Sequence, residues 1–298
     1  MTKIITALSE VSNRYDALLV DLWGCVHNGV TAFPGAVEAL RTYREAGGIV
    51  VLVTNSPRAR NRVERQLDTF NVPTDCWDTI ATSGDSARAA MFRGMVGEKV
   101  YFIGQDSDLK FFDPLSIIDD PVEITRVPLD QAEGIVCAGP FDPSADPETW
   151  RPDLLFAKQK GMKFLCANPD IVVDRGHVRE WCAGAVAKMY SEMGGESLYF
   201  GKPHPPIYDL TYRRLEAIRP GVQKSKMLAI GDGILTDIPG AIGEDIDSLF
   251  ISGGLAAEQT KTGAQDGAQD GAQPDPAALK DYLASETIDP TYTIGLLR

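Results

Sequence analysis

The chain has 298 residues, 44% of them hydrophobic, with 42 acidic against 29 basic side chains and a formal net charge of −13. That length and apolar content allow one large globular domain or two smaller ones, while the acidic balance argues against nucleic-acid partners, which need an excess of cations to release counterions from a phosphate backbone. Cys25, Cys76, Cys137, Cys166 and Cys182 are scattered without a CxxC pair, which fits reduced core thiols in the cytoplasm better than a disulfide framework or a zinc site.

In chain order, the first fifteen residues alternate polar and apolar side chains with no apolar block behind a basic start, so neither a secretory leader nor a membrane span is expected. Ala17 to Val20 is an apolar run ending at Asp21, and Ile49 to Val53 is another ending at Thr54-Asn55-Ser56. Continuous runs of this length fit strands buried on both faces of a parallel sheet. Between them Pro34-Gly35 opens a helix with Val37, Leu40 and Tyr43 on one face, closed by Gly47-Gly48. A second helix is predicted over Pro57 to Phe70.

From about Ser83 to Trp181 the pattern reads as a second αβ unit, with strands over Val100–Ile103, Gly134–Cys137 and Phe164–Ala167 and helices over Ser86–Phe92 and Trp150–Lys160. Helix Gly184–Met193 follows, then a strand Leu198–Phe200 running into Gly201-Lys202-Pro203, and helix Pro206–Ile218. Strand Met227–Ile230 runs into Gly231-Asp232-Gly233, helix Asp237–Ile242 follows, and strand Leu249–Ile251 runs into Ser252-Gly253-Gly254. Residues 262–276 carry a tandem Gly-Ala-Gln-Asp repeat and read as a flexible surface loop. The closing Ile294 to Leu297 is expected to dock on the core. Strands alternating with helices predict an α/β protein with a doubly wound, Rossmann-like parallel sheet and an inserted αβ unit. The boundaries are 1–82 for the first part of the core, 83–181 for the insertion and 182–298 for the second part of the core.

The polar corners all follow apolar runs, and open parallel sheets bind ligands at the carboxyl ends of their strands. Asp21, Thr54, Lys202 and Asp232 are therefore expected to meet at one edge. An Asp at a strand end can attack phosphorus. Alone, such a residue is more often a cap or turn former. Asp232 and Asp237, five residues apart on a strand-to-helix turn, can hold a hard divalent cation, the second from the outer shell, with Asp237 also capping the helix. Thr54 offers a hydroxyl and the N–H groups after it to a phosphoryl oxygen, and Lys202 a point charge.

Taken in order, DLWGxxxxG, TNS, GKP and GDGxxTDI resemble the four motifs of the haloacid-dehalogenase superfamily. The insertion between the second and third motifs, with Asn168-Pro169-Asp170, is similar to the type-IIA cap branch of NagD-like sugar phosphatases and nitrophenylphosphatases. The resemblance covers nearly the whole chain except the repeat. It implies a magnesium-dependent hydrolase acting on a small phosphorylated, sugar-phosphate-like metabolite. Asp21 would be nucleophile and Mg²⁺ ligand, Trp23 would give its backbone carbonyl to the metal, and Asp232 would be the second carboxylate. Asp237 would support this shell or Lys202, Thr54 and the Asn55 amide would bind phosphate, and Lys202 would pair with Asp21. Caps of this type often form homodimers within the family.

One position departs from the pattern. Trp23 stands where the family's phosphatases keep an Asp that protonates the leaving group, a loss that typically costs about 100- to 10,000-fold in rate. Three readings follow: a phosphatase with its acid elsewhere, a substrate with a good leaving group such as an acyl phosphate, or a non-hydrolytic phospholigand-binding or regulatory protein. His27, in the flap after Asp21, and His177, beyond the Asn-Pro-Asp triplet, are the candidate replacements, with Arg175, Arg179, Glu180 and Trp181 as candidate pocket residues. Cys25 reads as packing rather than as a nucleophile. A dinucleotide enzyme is disfavoured, because there is no GxGxxG after the first strand and no GxxxxGK[ST]. A receiver domain would be far shorter and lack the insertion.

Overall fold

The computed structural model describes residues 2–114, 120–176, 178–263 and 272–298. The chain opens with β1 (Lys3–Ile4), β2 (Ala17–Val20), α1 (Pro34–Glu45), β3 (Ile49–Thr54), α2 (Arg60–Thr69) and β4 (Thr79–Thr82). Then come α3 (Ser83–Met91), β5 (Lys99–Ile103), β6 (Thr125–Arg126), β7 (Gly134–Cys137), α4 (Arg151–Gln159) and β8 (Lys163–Cys166). The hairpin β9 (Val172–Arg175) and β10 (Val178–Trp181) precedes α5 (Ala183–Glu192) and β11 (Glu196–Tyr199). The last part holds α6 (Pro205–Ile218), β12 (Met227–Gly231), α7 (Asp237–Gly243), β13 (Asp247–Ile251), α8 (Pro276–Glu286) and β14 (Tyr292–Ile294).

Seven parallel strands form the larger sheet, in the order β1-β14-β13-β12-β2-β3-β4. All six residues of β3 are buried, and the two faces explain why. Val50 and Leu52 point into one core layer with Leu40 of α1 and Leu67 of α2. Val51 and Val53 point into the other with Ile207 and Leu215 of α6. A strand covered on both sides has no solvent face for polar residues to mark, so its sequence is continuously apolar. The doubly wound expectation is met.

Five parallel strands form the smaller sheet, in the order β11-β8-β7-β5-β6. Here two expectations need correction. The run ending before Gly201 was read as a core strand, yet β11 pairs with β8. Helix α5 likewise packs Val186 and Tyr190 against Phe164 of the inserted sheet. The inserted sheet thus extends past the expected limit of 181 to Tyr199. An apolar run reports burial, not which sheet buries it.

The second helix starts at Arg60 rather than Pro57, because the preceding segment is held extended: the Gly84 N–H at the head of α3 donates to the Ser56 carbonyl (3.0 Å). Short or half-exposed elements (β1, β4, β6, the hairpin and β14) and helix α8 carried no clear apolar period. The C-terminal docking is as expected, with Ile294 and Leu297 buried. Residues 264–271 of the repeat loop lie outside the described residues. Among the described residues no helix is long and apolar enough to cross a membrane.

Candidate active site

Strands β12, β2 and β3 lie side by side, with Ile230 opposite Val20 and Val20 opposite Leu52. Their carboxyl ends therefore deliver Asp232, Asp21 and Thr54 to one edge, and the Asp21 N–H is tied to the Ile230 carbonyl (2.8 Å). Lys202 reaches this edge from the inserted sheet, so its position needs a separate anchor. Asn55 supplies it. Its Oδ1 accepts from the Lys202 N–H (2.7 Å), and its Nδ2 donates to the Lys202 carbonyl (3.1 Å) and to Asp170 Oδ1 (2.8 Å). The side chain of Asn55 is thus fully engaged, and only its backbone N–H remains for a ligand.

Lys202 Nζ donates to Asp21 Oδ1 (2.5 Å) and to Asp237 Oδ1 (2.6 Å). Asp237 is the first residue of α7, and its Oδ2 accepts from the Gly233 N–H (3.0 Å). It braces the turn after β12 instead of capping the helix as expected. Asp232 Oδ2 accepts from the Leu255 N–H (2.9 Å). All four residues are under 10% exposed.

This cluster sets three buried carboxylates against one ammonium. Burial, relieved in part by Lys202 and aggravated by Asp237, pushes the Asp21 carboxyl up to about 7. Asp232 is held well above the ordinary carboxylate range by burial, then by Asp21 and Asp237. Burial alone would lower Lys202, but the two carboxylates outweigh it and hold it well above its usual value. Such a site lacks positive charge. Its donors suit a hard divalent cation: oxygens of Asp21 and Asp232 lie within 4.8 Å of one another, and the Trp23 carbonyl accepts no hydrogen bond among the described residues. The backbone also closes on Asp232, since a Cβ at Gly24 or Gly254 would lie 2.1 or 2.0 Å from its Oδ2. Cys25 shares this neighbourhood, but burial raises its thiol far above the usual range, and it packs as a core residue.

A cavity of about 230 Å³ opens over these groups, lined by Asp21, Trp23, Asp170, Asp174, Lys202 and Asp232 among others. Thr54 and Asn55 are buried at the strand end and do not line it. Nor does His27. It is 1% exposed, with its ring against Trp23 and Phe70, and its Nδ1 accepts from the Gly29 N–H (3.0 Å). Burial, helped by nearby Arg175, lowers its pKa to about 4, so it stays neutral. Arg179 is paired with Asp174 and does not line this cavity. His177 lies outside the described residues. The hairpin closes on the flap through the Gly176 N–H and the Asn28 carbonyl (3.0 Å), and Arg175 lies over the Trp23 ring, 5.2 Å from its centroid. Sequence reasoning used Asp170 only as a motif letter. Its bond to Asn55 makes it the link between the insertion and Lys202, which no local pattern signals.

Two family profiles match the chain, one described as haloacid dehalogenase-like hydrolase over residues 18–117 and one as HAD-hydrolase-like over 199–284. A solved hydrolase of the haloacid dehalogenase-like family from Brucella suis is 37% identical, covering 99% of this chain and 100% of its own, with a TM-score of 0.83. The 5'-nucleotidase YutF of Bacillus subtilis is 25% identical, the match covering 83% of this chain and 91% of that protein. The glycerol phosphate phosphatase Rv1692 of Mycobacterium tuberculosis, solved with magnesium, shares the fold at 22% identity and a TM-score of 0.61, covering 82% of this chain and 70% of that one.

Proposed function

The chain belongs to the haloacid dehalogenase-like hydrolases of the type-IIA cap branch, and on that premise we propose that it removes the phosphoryl group of a small phosphorylated metabolite through an aspartyl-phosphate at Asp21. The observation that carries this reading is Lys202 bridging Asp21 and Asp237 beside Asp232 at the carboxyl edge of the sheet. Lys202 occupies Asp21 Oδ1 and fixes the carboxylate, leaving Oδ2 to attack phosphorus. The O–P bond to Asp21 forms as the ester O–P bond breaks, and Lys202 faces the charge on the transferring group. Water then hydrolyses the acyl phosphate and regenerates the carboxylate. The Thr54 hydroxyl and the Asn55 N–H are the proposed phosphate donors.

Asp21, Asp232 and the Trp23 carbonyl would hold Mg²⁺, with Asp237 in support. The bound ion would supply the positive charge that the carboxylates lack and neutralise phosphoryl oxygens. Five buried free thiols fit a cytoplasmic setting, and pairing of two copies through the insertion is part of the proposal.

The leaving alkoxide needs a proton, and one observation favours the second reading at this step. The Trp23 ring lies under Arg175 and is edged by a neutral His27, so among the described residues no proton donor occupies that place. Either another group of the site supplies the proton, or the substrate has a good leaving group, or the protein binds a phospholigand without turnover. Phosphate release from a panel of phosphomonoesters and acyl phosphates, with Mg²⁺ and with EDTA, separates these. Magnesium-dependent turnover that vanishes in Asp21→Asn supports the proposal. Silence across the panel with phosphate still bound supports the non-hydrolytic reading.

A further inference from the structure

Across Trp23 from the cavity above Asp21 lies a second cavity of about 110 Å³. The two share Trp23, Asp170 and Val173 as a common wall. Arg58 and Arg175 both face the second cavity. The backbone of Arg58 is fixed where the core meets the insertion: its N–H donates to Ser56 Oγ (3.3 Å), and Ser56 is tied to Gly84 of α3. Among the described residues its guanidinium makes no hydrogen bond and no ion pair, although the residue is half-buried. Arg175 donates to Glu180 through Nε alone (3.0 and 3.2 Å), which among the described residues leaves both terminal nitrogens unbonded, and its Cζ lies over the Trp23 ring.

The acids on the same wall are already engaged. Asp108 accepts from the Gln105 N–H (3.1 Å), Asp170 from Asn55, and Glu180 from Arg175. Burial pulls Arg58 below its usual value; Asp108 offsets part of this, and Arg175 and Arg62 add to it. Arg58 therefore presents a guanidinium without an ion-pair partner among the described residues, in a cavity that a second guanidinium also lines, and an anion accepting from both would satisfy their unused donors.

We propose that the cavity between Arg58 and Arg175 binds a second anionic group, carboxylate or phosphate, of the phosphomonoester whose phosphoryl group meets Asp21. This rests on the phosphatase reading and names its substrate class: a short phosphomonoester with a second anion, laid along Trp23. Trp23 then serves as the platform between the two subsites, with Arg175 over its ring.

The test compares three probes of similar size, with KM and kcat measured for each. Phosphoglycolate carries a carboxylate, ethylene glycol bisphosphate a second phosphate, and hydroxyethyl phosphate neither. The wild type is expected to favour one or both anionic probes over the neutral one by about tenfold in KM, the scale of one charge-assisted contact. Which of the two it favours distinguishes carboxylate from phosphate. In Arg58→Gln that preference collapses, and in Arg58→Lys part of it returns. Equal KM values for all three probes in the wild type, or an undiminished preference in a folded Arg58→Gln, overturn the inference. If no probe is turned over, dissociation constants for the same three probes by calorimetry decide the inference by the same criterion, while the acyl phosphates of the panel decide the hydrolytic reading separately.

Discussion

At the scale of single residues, Trp23 and His27 form one unit. Trp23 packs under Arg175 and against His27, and a Cβ at Gly29 would meet the indole at 2.3 Å. Trp23→Asp restores a carboxyl where a proton donor is missing and removes a packing element at once. The expected outcome is a rise in sugar-phosphate turnover of about tenfold or more, larger than for p-nitrophenyl phosphate, whose phenolate leaves without a proton, together with faster amide exchange in the hairpin. Unchanged turnover with the fold intact would mean that another part of the site is also absent. His27 has its own signature. Its folded pKa near 4 lies below the ordinary 6.5, so the unfolded chain binds more protons between those values. The resulting stability is fully present above pH 6.5 and lost as pH falls towards 4. About 3 kcal/mol rests on this difference. Urea unfolding across that window should show a shallower acid limb in His27→Phe, and an identical limb would refute the assignment.

At the scale of elements, the segment carrying Thr54, Asn55 and Arg58 is shaped by what it touches. A Cβ at Gly84 would lie 2.2 Å from the Pro57 carbonyl oxygen and 2.7 Å from that of Arg58. Both obstacles are backbone, so neither can rotate away. Gly84→Ala is expected to cost about 1–3 kcal/mol and to weaken substrate binding by moving the loop; a melting curve beside a KM measurement checks both. The hairpin is the complementary case. None of its strand residues is buried, and Asp174, Arg175, Arg179 and Glu180 are charged, so it has no core of its own. Its contacts with the flap, through Gly176 and Arg175, hold it over the site.

For the whole molecule, the core sheet supplies the acids and the junction with the insertion supplies the lysine. Charge is the result: three carboxylates, one ammonium, almost no solvent. Magnesium should therefore stabilise the fold, by about 2–3 kcal/mol at a hundred times its Kd. Asp232→Asn should abolish that gain yet melt higher than the wild type without metal, because it removes a carboxylate held in its costly buried state. Thermal scans with magnesium and with EDTA test both halves, and a metal-free Asp232→Asn that melts lower would contradict the charge argument.

The sequence by itself determined the α/β class, the parallel core sheet and the corner residues Asp21, Thr54, Lys202 and Asp232. Buried strands must be written as unbroken apolar runs, and their exits must be polar. It also marked Trp23 as a departure. Only the tertiary structure decided that β11 belongs to the inserted sheet, that Asn55 clamps Lys202 instead of presenting its side chain, that His27 is a neutral core residue, and that Arg58 and Arg175 share a cavity. Each of these depends on partners distant in the sequence, or on which side of a loop a ring settles. Periodicity carries neither kind of information, because it records how deeply a residue is buried and not what it is buried against.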